Sequence, residues 1–412
     1  MAEESRARSQ DASKTGGVLE TFLIFLRLGL VSFGGPIAHL GYYREEFVQR
    51  RRWLDDRAYA DLVALSQFLP GPASSQTGFA IGLMRAGTLG GIAAWVGFTL
   101  PSAILMVGFA YGLAVLEGPA FQGLVHGLKL VAVAVVAHAL LGMYRTLCPD
   151  RERATIAVAA AVLVVLMPTI GGQIMAIVGG GLLWLFTGRD DEAGKARHTV
   201  RRQRFGPGAG AALITFFVLL LGLPVVADDA GGLLLGLADA FYRAGSLVFG
   251  GGHVVLPLLE AEVVPRGWVD EDTFLSGYGA AQALPGPLFT FAAYVGTLAT
   301  DGGLPGAFVA LAAIFLPGLL LIYGTLPVWD RLRENRHARR VLAGVNAAVV
   351  GILAAALYRP LWTSSVETSI DFVAALVGFL LLAAWRWPSW SVVLLLAGLG
   401  LVFGFTGVWG TA

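Results

Sequence analysis

A single cysteine, Cys148, is all that 412 residues carry, so no disulfide framework, cysteine-rich zinc site or iron–sulfur cluster can be assembled within the chain. Charge is scarce as well. Asp, Glu, Lys and Arg supply 14% of residues, against roughly 25% in soluble domains, while 56% are hydrophobic and the mean hydropathy is +0.71. The formal net charge of +1 gives no electrostatic footprint for a nucleic-acid partner. No G-x-x-x-x-G-K-[ST] phosphate loop is present, which removes ATP hydrolysis, and no H-E-x-x-H motif offers a metal. Ser74 and Ser75 have no histidine at a position that compels pairing, so an intramembrane enzyme is only a remote alternative and no cofactor is expected. Residues 1–17 mix Glu3, Glu4, Arg6, Arg8, Asp11 and Lys14 without an apolar signal core and read as a short disordered tail.

What remains is apolar length. Runs of the size needed to cross a hydrocarbon core lie near 18–40, 62–84, 88–116, 121–143, 154–168 and 171–187, and again near 211–227, 232–259, 276–299, 304–328, 341–361, 370–385 and 390–408. The total is about thirteen. Between the two groups, 188–208 carries Arg189, Lys195, Arg197, Arg201, Arg202 and Arg204 and reads as a basic cytoplasmic linker. It separates a first repeat, 18–187, from a second, 209–412, which has one extra leading span.

Rare residues recur between these halves at a fixed distance. Arg27, Gly29, Phe33, Gly34 and Gly35 return as Arg243, Gly245, Phe249, Gly250 and Gly251, each 216 positions on. Trp53, Asp55, Gln67, Pro70, Gly71 and Pro72 return as Trp268, Asp270, Gln282, Pro285, Gly286 and Pro287 at an offset of 215, and Pro101 returns as Pro317 at 216. Paired apolar segments interrupted by Gly and Pro at corresponding places point to broken helices around a transporter's binding site. The expected fold is therefore an all-α polytopic membrane protein of about thirteen transmembrane helices in two inverted-topology repeats.

With the amino terminus inside, Arg85, the Arg145, Arg151 and Arg153 group and the linker are cytoplasmic. The extra span then inverts the second repeat, placing Asp228 and Asp229 outside and Arg331, Arg333, Arg336, Arg339 and Arg340 inside. The loop 42–61 conflicts with this count, because it carries Arg44, Arg50, Arg51, Arg52 and Arg57 yet falls outside. A first segment that dips in and returns at its glycines would remove the conflict and lower the span count.

In Pro70-Gly71-Pro72 and Pro285-Gly286-Pro287 two prolines within three residues remove two backbone donors, so the helix breaks. A helix restarting there offers free N–H groups and a positive dipole end to an anion, and Ser74, Ser75 and Gln76 add side-chain donors beside Gln67; Gln282 stands at the second break. A structural kink is the plainer alternative. Gly34 and Gly35 before Pro36, and Gly250 and Gly251 before His253, let a backbone approach a ligand or, equally, a neighbouring helix. Arg27 and Arg243 lie inside apolar runs, where an arginine is costly and usually paired or facing a polar cavity. Arginine suits tetrahedral oxyanions. Lys129 is a further intramembrane cation, aligned with Asn346 in the second repeat, and no carboxylate is expected deep in the spans. His126, His138 and His253 fit packing roles better than proton carriage.

The runs Arg27-Leu-Gly-Leu-Val-Ser-Phe-Gly-Gly-Pro36, Arg51-Arg-Trp-Leu-Asp55 and Gln67-Phe-Leu-Pro-Gly-Pro-Ala-Ser-Ser-Gln76 resemble signatures of the chromate ion transporter family in its long-chain, two-domain form. In the second half, Phe249-Gly-Gly-Gly-His-Val-Val-Leu-Pro257 and Gln282-Ala-Leu-Pro-Gly-Pro287 extend the resemblance over nearly the whole chain. It implies a prokaryotic inner-membrane protein that lowers cytoplasmic chromate, with sulfate as the look-alike anion. The partners expected are thus a chromate- or sulfate-like oxyanion and the lipid bilayer, with a homodimer left open. In a Cys148→Ser background, Ser13→Cys and Ala196→Cys are expected to react with an impermeant maleimide from one side of the membrane and Thr411→Cys from the other; labelling of Ser13→Cys and Thr411→Cys from the same side would refute the odd span count.

Overall fold

The computed structural model describes residues 2–115, 118–188, 207–300 and 302–406, and every regular element among them is helical. The first half comprises α1 (Ala2–Val31), α2 (Gly35–Tyr43, prolonged by a π turn over Arg44–Arg50), α3 (Asp56–Phe68), α4 (Ala73–Val115), α5 (Pro119–Leu147), α6 (Arg151–Leu166) and α7 (Ile170–Thr187). After α8 (Pro207–Ala230) the second half runs through α9 (Leu233–Leu247), α10 (Val255–Val263), α11 (Glu271–Ala281), α12 (Phe291–Leu298) and α13 (Gly303–Thr325). It ends with the short α14 (Trp329–Glu334), α15 (Arg336–Ala356), the short α16 (Thr363–Ser365), α17 (Ser369–Ala383) and α18 (Ser389–Thr406). Helix α1 takes in residues 2–17, which the sequence reading leaves as a disordered tail, and nearly all of the basic linker lies outside the described residues.

Among the described residues, six helices are long and apolar enough to cross a membrane: Ala73–Leu113, Pro119–Leu147, Ile170–Thr187, Gly208–Asp228, Gly303–Val328 and Arg336–Ser365. Shorter apolar helices accompany them. Helix length alone therefore does not carry thirteen crossings, and the shortfall has a definite cause: several apolar runs turn back on themselves.

The run 18–40 is the first example. It is two helices meeting at Ser32–Gly34, where Gly34 and Gly35 take φ of 102° and 76°. Helix α2 returns along α1, since the Phe25 ring meets Tyr43 at 5.5 Å and Phe47 at 5.0 Å, and Glu20 of α1 binds Arg51 at 3.2 Å. The basic 42–61 segment accordingly folds back beside Glu20 on the amino-terminal side of the glycine break instead of lying beyond it, which removes the conflict in the charge count. Helices α3 and α4 form a second hairpin, with Thr77 donating to Ser66 across it at 3.0 Å. Arg85 comes back to Glu20 at 3.1 Å, after which α4 reverses at Ala86–Gly87 and begins its long limb. Gly82 and Gly90 pack so closely at this reversal that a Cβ on either would strike the other's carbonyl.

The second half repeats the plan. Gly236 of α9 lies against Trp268, Tyr294 of α12 donates to the Thr273 carbonyl at 2.7 Å, and Gly296 packs on Gly306 as Gly82 does on Gly90. The recurrent Trp and Asp are structural: Asp55 and Asp270 cap α3 and α11 by accepting from Ala58 and Thr273, while Trp53 and Trp268 lie under Arg85 and Arg266 at 4.7 and 4.9 Å. Arg333 after α13 reaches Asp61 at 3.1 Å, and Tyr323 meets Thr88 at 3.5 Å, so the far end of α13 joins the end that holds Arg51 and Arg85. The opposite end gathers Lys129 with Asp272 at 2.7 Å, His126 with Asp371 at 2.8 Å, and Ser364 with Glu271. In a Cys148→Ser background, Arg52→Cys is expected to label from the same side as Ser13→Cys, and opposite sidedness would overturn the returning hairpin.

Candidate functional site

In Pro70-Gly71-Pro72 and Pro285-Gly286-Pro287, glycine holds the one remaining N–H of each triplet. Both of these amides cross to the other repeat. Gly71 N–H donates to the Val248 carbonyl at 2.7 Å, and Gly286 N–H donates to the Ser32 carbonyl at 2.9 Å. Ser32 and Val248 are themselves 216 positions apart and open the two glycine breaks, so the bonds form a reciprocal pair about a local dyad. Gly71 and Gly286 have φ of 117° and 97°, and both are crowded. A Cβ on Gly71 would lie 3.0 Å from Gly318 Cα, and one on Gly286 would lie 2.7 Å from Ser102 Oγ. Gly318 and Ser102 follow the repeated prolines Pro317 and Pro101, so each tip rests on the long helix of the opposite half.

The side chains around this junction are less symmetrical than its backbone. Helix α4 restarts at Ala73 and its first amide-to-carbonyl bond runs from Gln76 to Pro72 at 3.0 Å, leaving the preceding amides without a partner inside the helix. His39 bridges the Ser32 carbonyl at 3.1 Å and the Ser74 hydroxyl at 3.3 Å, tying the first glycine break to this terminus. Gln76 Nε2 donates to the Pro70 and Gly318 carbonyls at 2.9 and 3.1 Å. Among the described residues, Ser32 Oγ, Ser75 Oγ, Gln76 Oε1 and Gln282 Nε2 are buried with no hydrogen-bond partner. At the second restart the places of Ser74, Ser75 and Gln76 are taken by Phe289, Thr290 and Phe291, and the Thr290 hydroxyl is spent on the Pro287 carbonyl. His253 shares a hydrogen bond with Tyr278 at 2.7 Å, and Asn346 Oδ1 approaches Gly250. Pro36, Gly34, Gly35, Gly251 and Pro285 belong to the same meeting of breaks, with Pro36 packed toward Gly252.

The charged candidates do not join them. Arg27 lies on the exposed face of α1, and Gln67 is exposed on α3. Arg243 is bound by Asp239 at 2.5 Å and Glu262 at 2.9 Å, both buried; Asp239 lies within the 232–259 run and corrects the expectation that no carboxylate sits deep in the spans. Lys129 faces a cavity of about 1100 Å³ at the other end of the molecule, apart from its aligned partner Asn346. Burial pushes the Glu46 carboxyl up, but Arg51 and Arg50 outweigh this and hold it below the ordinary carboxylate range, so their ion pairs persist across physiological pH. The sequence reading missed Ser32, His39, Ser102, Gly318, Asp239 and Glu262; the 216-residue offset links Ser102 to Gly318 and would have marked that pair.

Duplicated broken helices joined inside a bundle of apolar membrane-length helices define a polytopic membrane transport protein. The chain belongs to the chromate transporter family, whose model matches residues 19–185 and again 235–402. It is 30% identical over 392 residues to a chromate transport protein of Pseudomonas aeruginosa, covering 93% of this chain and 86% of that one. It is 28% identical over 387 residues to a probable chromate transport protein of Synechococcus elongatus, covering 92% and 94%. The Bacillus subtilis uncharacterized transporter YwrA is 34% identical over 164 residues, 38% of this chain but 89% of that shorter protein. No solved structure matches.

Gly71→Ala and Gly286→Ala are each expected to cost roughly 1–2 kcal/mol for the left-handed backbone alone, and more for the clashes. Gly108→Ala, in open space on α4, is the control. Thermal unfolding of the purified full chain checks this, and equal midpoints for all three variants would remove the strain argument.

Proposed function

We propose that this chain is a secondary transporter that exports chromate across a prokaryotic inner membrane, lowers cytoplasmic chromate and so confers resistance to it, driven by the membrane potential. The names of its full-length relatives support the cargo. The carrying observation is the reciprocal pair of amide bonds at the dyad beside a helix terminus that has buried, unpartnered hydroxyl and amide groups. On this reading the oxyanion is held between the breaks by the free amides after Pro72 and by Ser74, Ser75 and Gln76, with the Gly34–Gly35 and Gly250–Gly251 backbones, Gln282, His253 and Asn346 around it. The chain divides into two repeats of inverted topology joined by the linker. The half-length match to YwrA is consistent with such a unit. The end that gathers Arg51, Arg85 and Arg333 is cytoplasmic and the end with Asp272 and Asp371 is outside, in keeping with the positive-inside rule.

A dianion leaving a cell that is negative inside gains roughly 2.3 kcal/mol per charge per 100 mV, about 4.6 kcal/mol in all, enough for a gradient above a thousandfold. Chromate uptake into everted vesicles is therefore expected to collapse with valinomycin and potassium and to survive nigericin. Sensitivity to nigericin alone would replace uniport by proton coupling and direct attention to His253. Indifference to both would indicate electroneutral exchange, and sulfate competing better than chromate itself would transfer the cargo to sulfate.

A further inference from the structure

The offset of 216 aligns Arg27, Glu46 and Arg50 with Arg243, Glu262 and Arg266, yet the two triads are wired differently. In the second repeat every charge is answered internally. Arg243 takes Asp239 at 2.5 Å and Glu262 at 2.9 Å, and Arg266 takes Glu262 at 3.0 Å. In the first repeat the place of Asp239 is held by Leu23, whose side chain is 53% exposed. Glu46 has turned to Arg51 at 2.5 Å and Arg50 at 3.2 Å, and Glu20 is shared by Arg51 and Arg85. Arg27 is left with no carboxylate among the described residues.

Space accompanies the missing charge. Arg27, Arg50 and Arg51 line a cavity of about 550 Å³ whose wall also includes Leu23, Glu20, Glu45 and Glu46. Arg50 and Arg51 of this wall are paired with Glu46 and Glu20, so among the described residues Arg27 is the guanidinium of the wall left without a carboxylate, while Glu45 is the wall's carboxylate without an arginine. The carboxylate of Asp239 on Arg243 marks where an anion sits on the equivalent guanidinium.

We infer that the cavity beside Arg27 is a binding site for a tetrahedral oxyanion, which occupies on Arg27 the place that the Asp239 carboxylate occupies on Arg243. A guanidinium presents paired N–H donors that match two oxygens of a sulfate- or phosphate-type group. The site is separate from the junction of broken helices and does not depend on which cargo passes there. Two sources share this chemistry: a free dianion, and the phosphate of an anionic phospholipid, whose chains would lie along the exposed Leu23, Leu30 and Ile37.

The test uses the full chain in phosphatidylcholine nanodiscs and reads the thermal midpoint, which a ligand raises by binding the folded state. One arm adds sodium sulfate against sodium chloride of equal ionic strength; the other replaces part of the phosphatidylcholine by phosphatidylglycerol. Wild type is expected to gain stability in at least one arm, and the responding arm identifies the source. Arg27→Gln should lose the gain. Leu23→Asp should lose it too, because it installs four residues from Arg27 the internal carboxylate that the second repeat has, whereas Leu23→Asn should keep it. The unliganded midpoint of each variant reports folding, and Leu23→Asp gains an ion pair, so its loss of response is not a loss of fold. A wild-type midpoint unmoved in both arms, a gain that survives Arg27→Gln, or equal responses of Leu23→Asp and Leu23→Asn would overturn the inference. Transport is not the readout, so failure here is distinguishable from failure of the export reading.

Discussion

An amide in hydrocarbon must find an acceptor, and a break in a membrane helix therefore has to be closed by some other part of the protein. Each Pro-Gly-Pro triplet reduces that requirement to a single N–H, and each gives it to the carbonyl at the opposite repeat's glycine break. The remaining features of the centre are consequences of this exchange. The tips have to approach one another, so Gly71 and Gly286 have no room for a side chain, and each lies on the long helix of the other half just past its proline. The hairpins have to return, so α1 and α2 fold against each other through Phe25, Tyr43 and Phe47 and bring the basic loop back beside Glu20 of α1.

Much of this is legible in the sequence because duplication doubles every signal. Paired prolines, glycines and tryptophans at offsets of 215 and 216 identify the breaks without any coordinates. Direction is harder, since hydropathy measures how apolar a run is and is blind to whether it crosses or turns back. The run 18–40 has no charge after Arg27 to mark its turn; what reverses it is the positive φ at Gly34 and Gly35 and the charge pairing of Glu20 with Arg51, one a backbone property and the other a contact between distant residues. The same blindness affects the arginines. Matching Arg27 to Arg243 suggests a common role, whereas the difference at Leu23 and Asp239, four residues before each, gives them different partners.

The two repeats thus share a frame but not a chemistry. After the first Pro-Gly-Pro stand two serines and a glutamine, and after the second stand phenylalanine, threonine and phenylalanine, with the threonine hydroxyl turned to its own chain. An anion at the dyad would meet hydrogen-bond donors on one side and a greasy wall on the other. The charged groups are likewise displaced outward, with Arg243 sealed by two carboxylates and Lys129 held by Asp272. Neutral dipoles, not fixed charges, surround the junction.

The bonds that join the tips run from main chain to main chain. Substituting Ser32 or Val248 with any residue leaves the accepting carbonyl in place, and the donor disappears only if a third proline enters the triplet. The joint is therefore indifferent to most amino-acid replacement, while the hydroxyls and amides a few residues away are open to it. Side-chain identity around the junction can therefore drift while the bonds that join the two halves are left untouched.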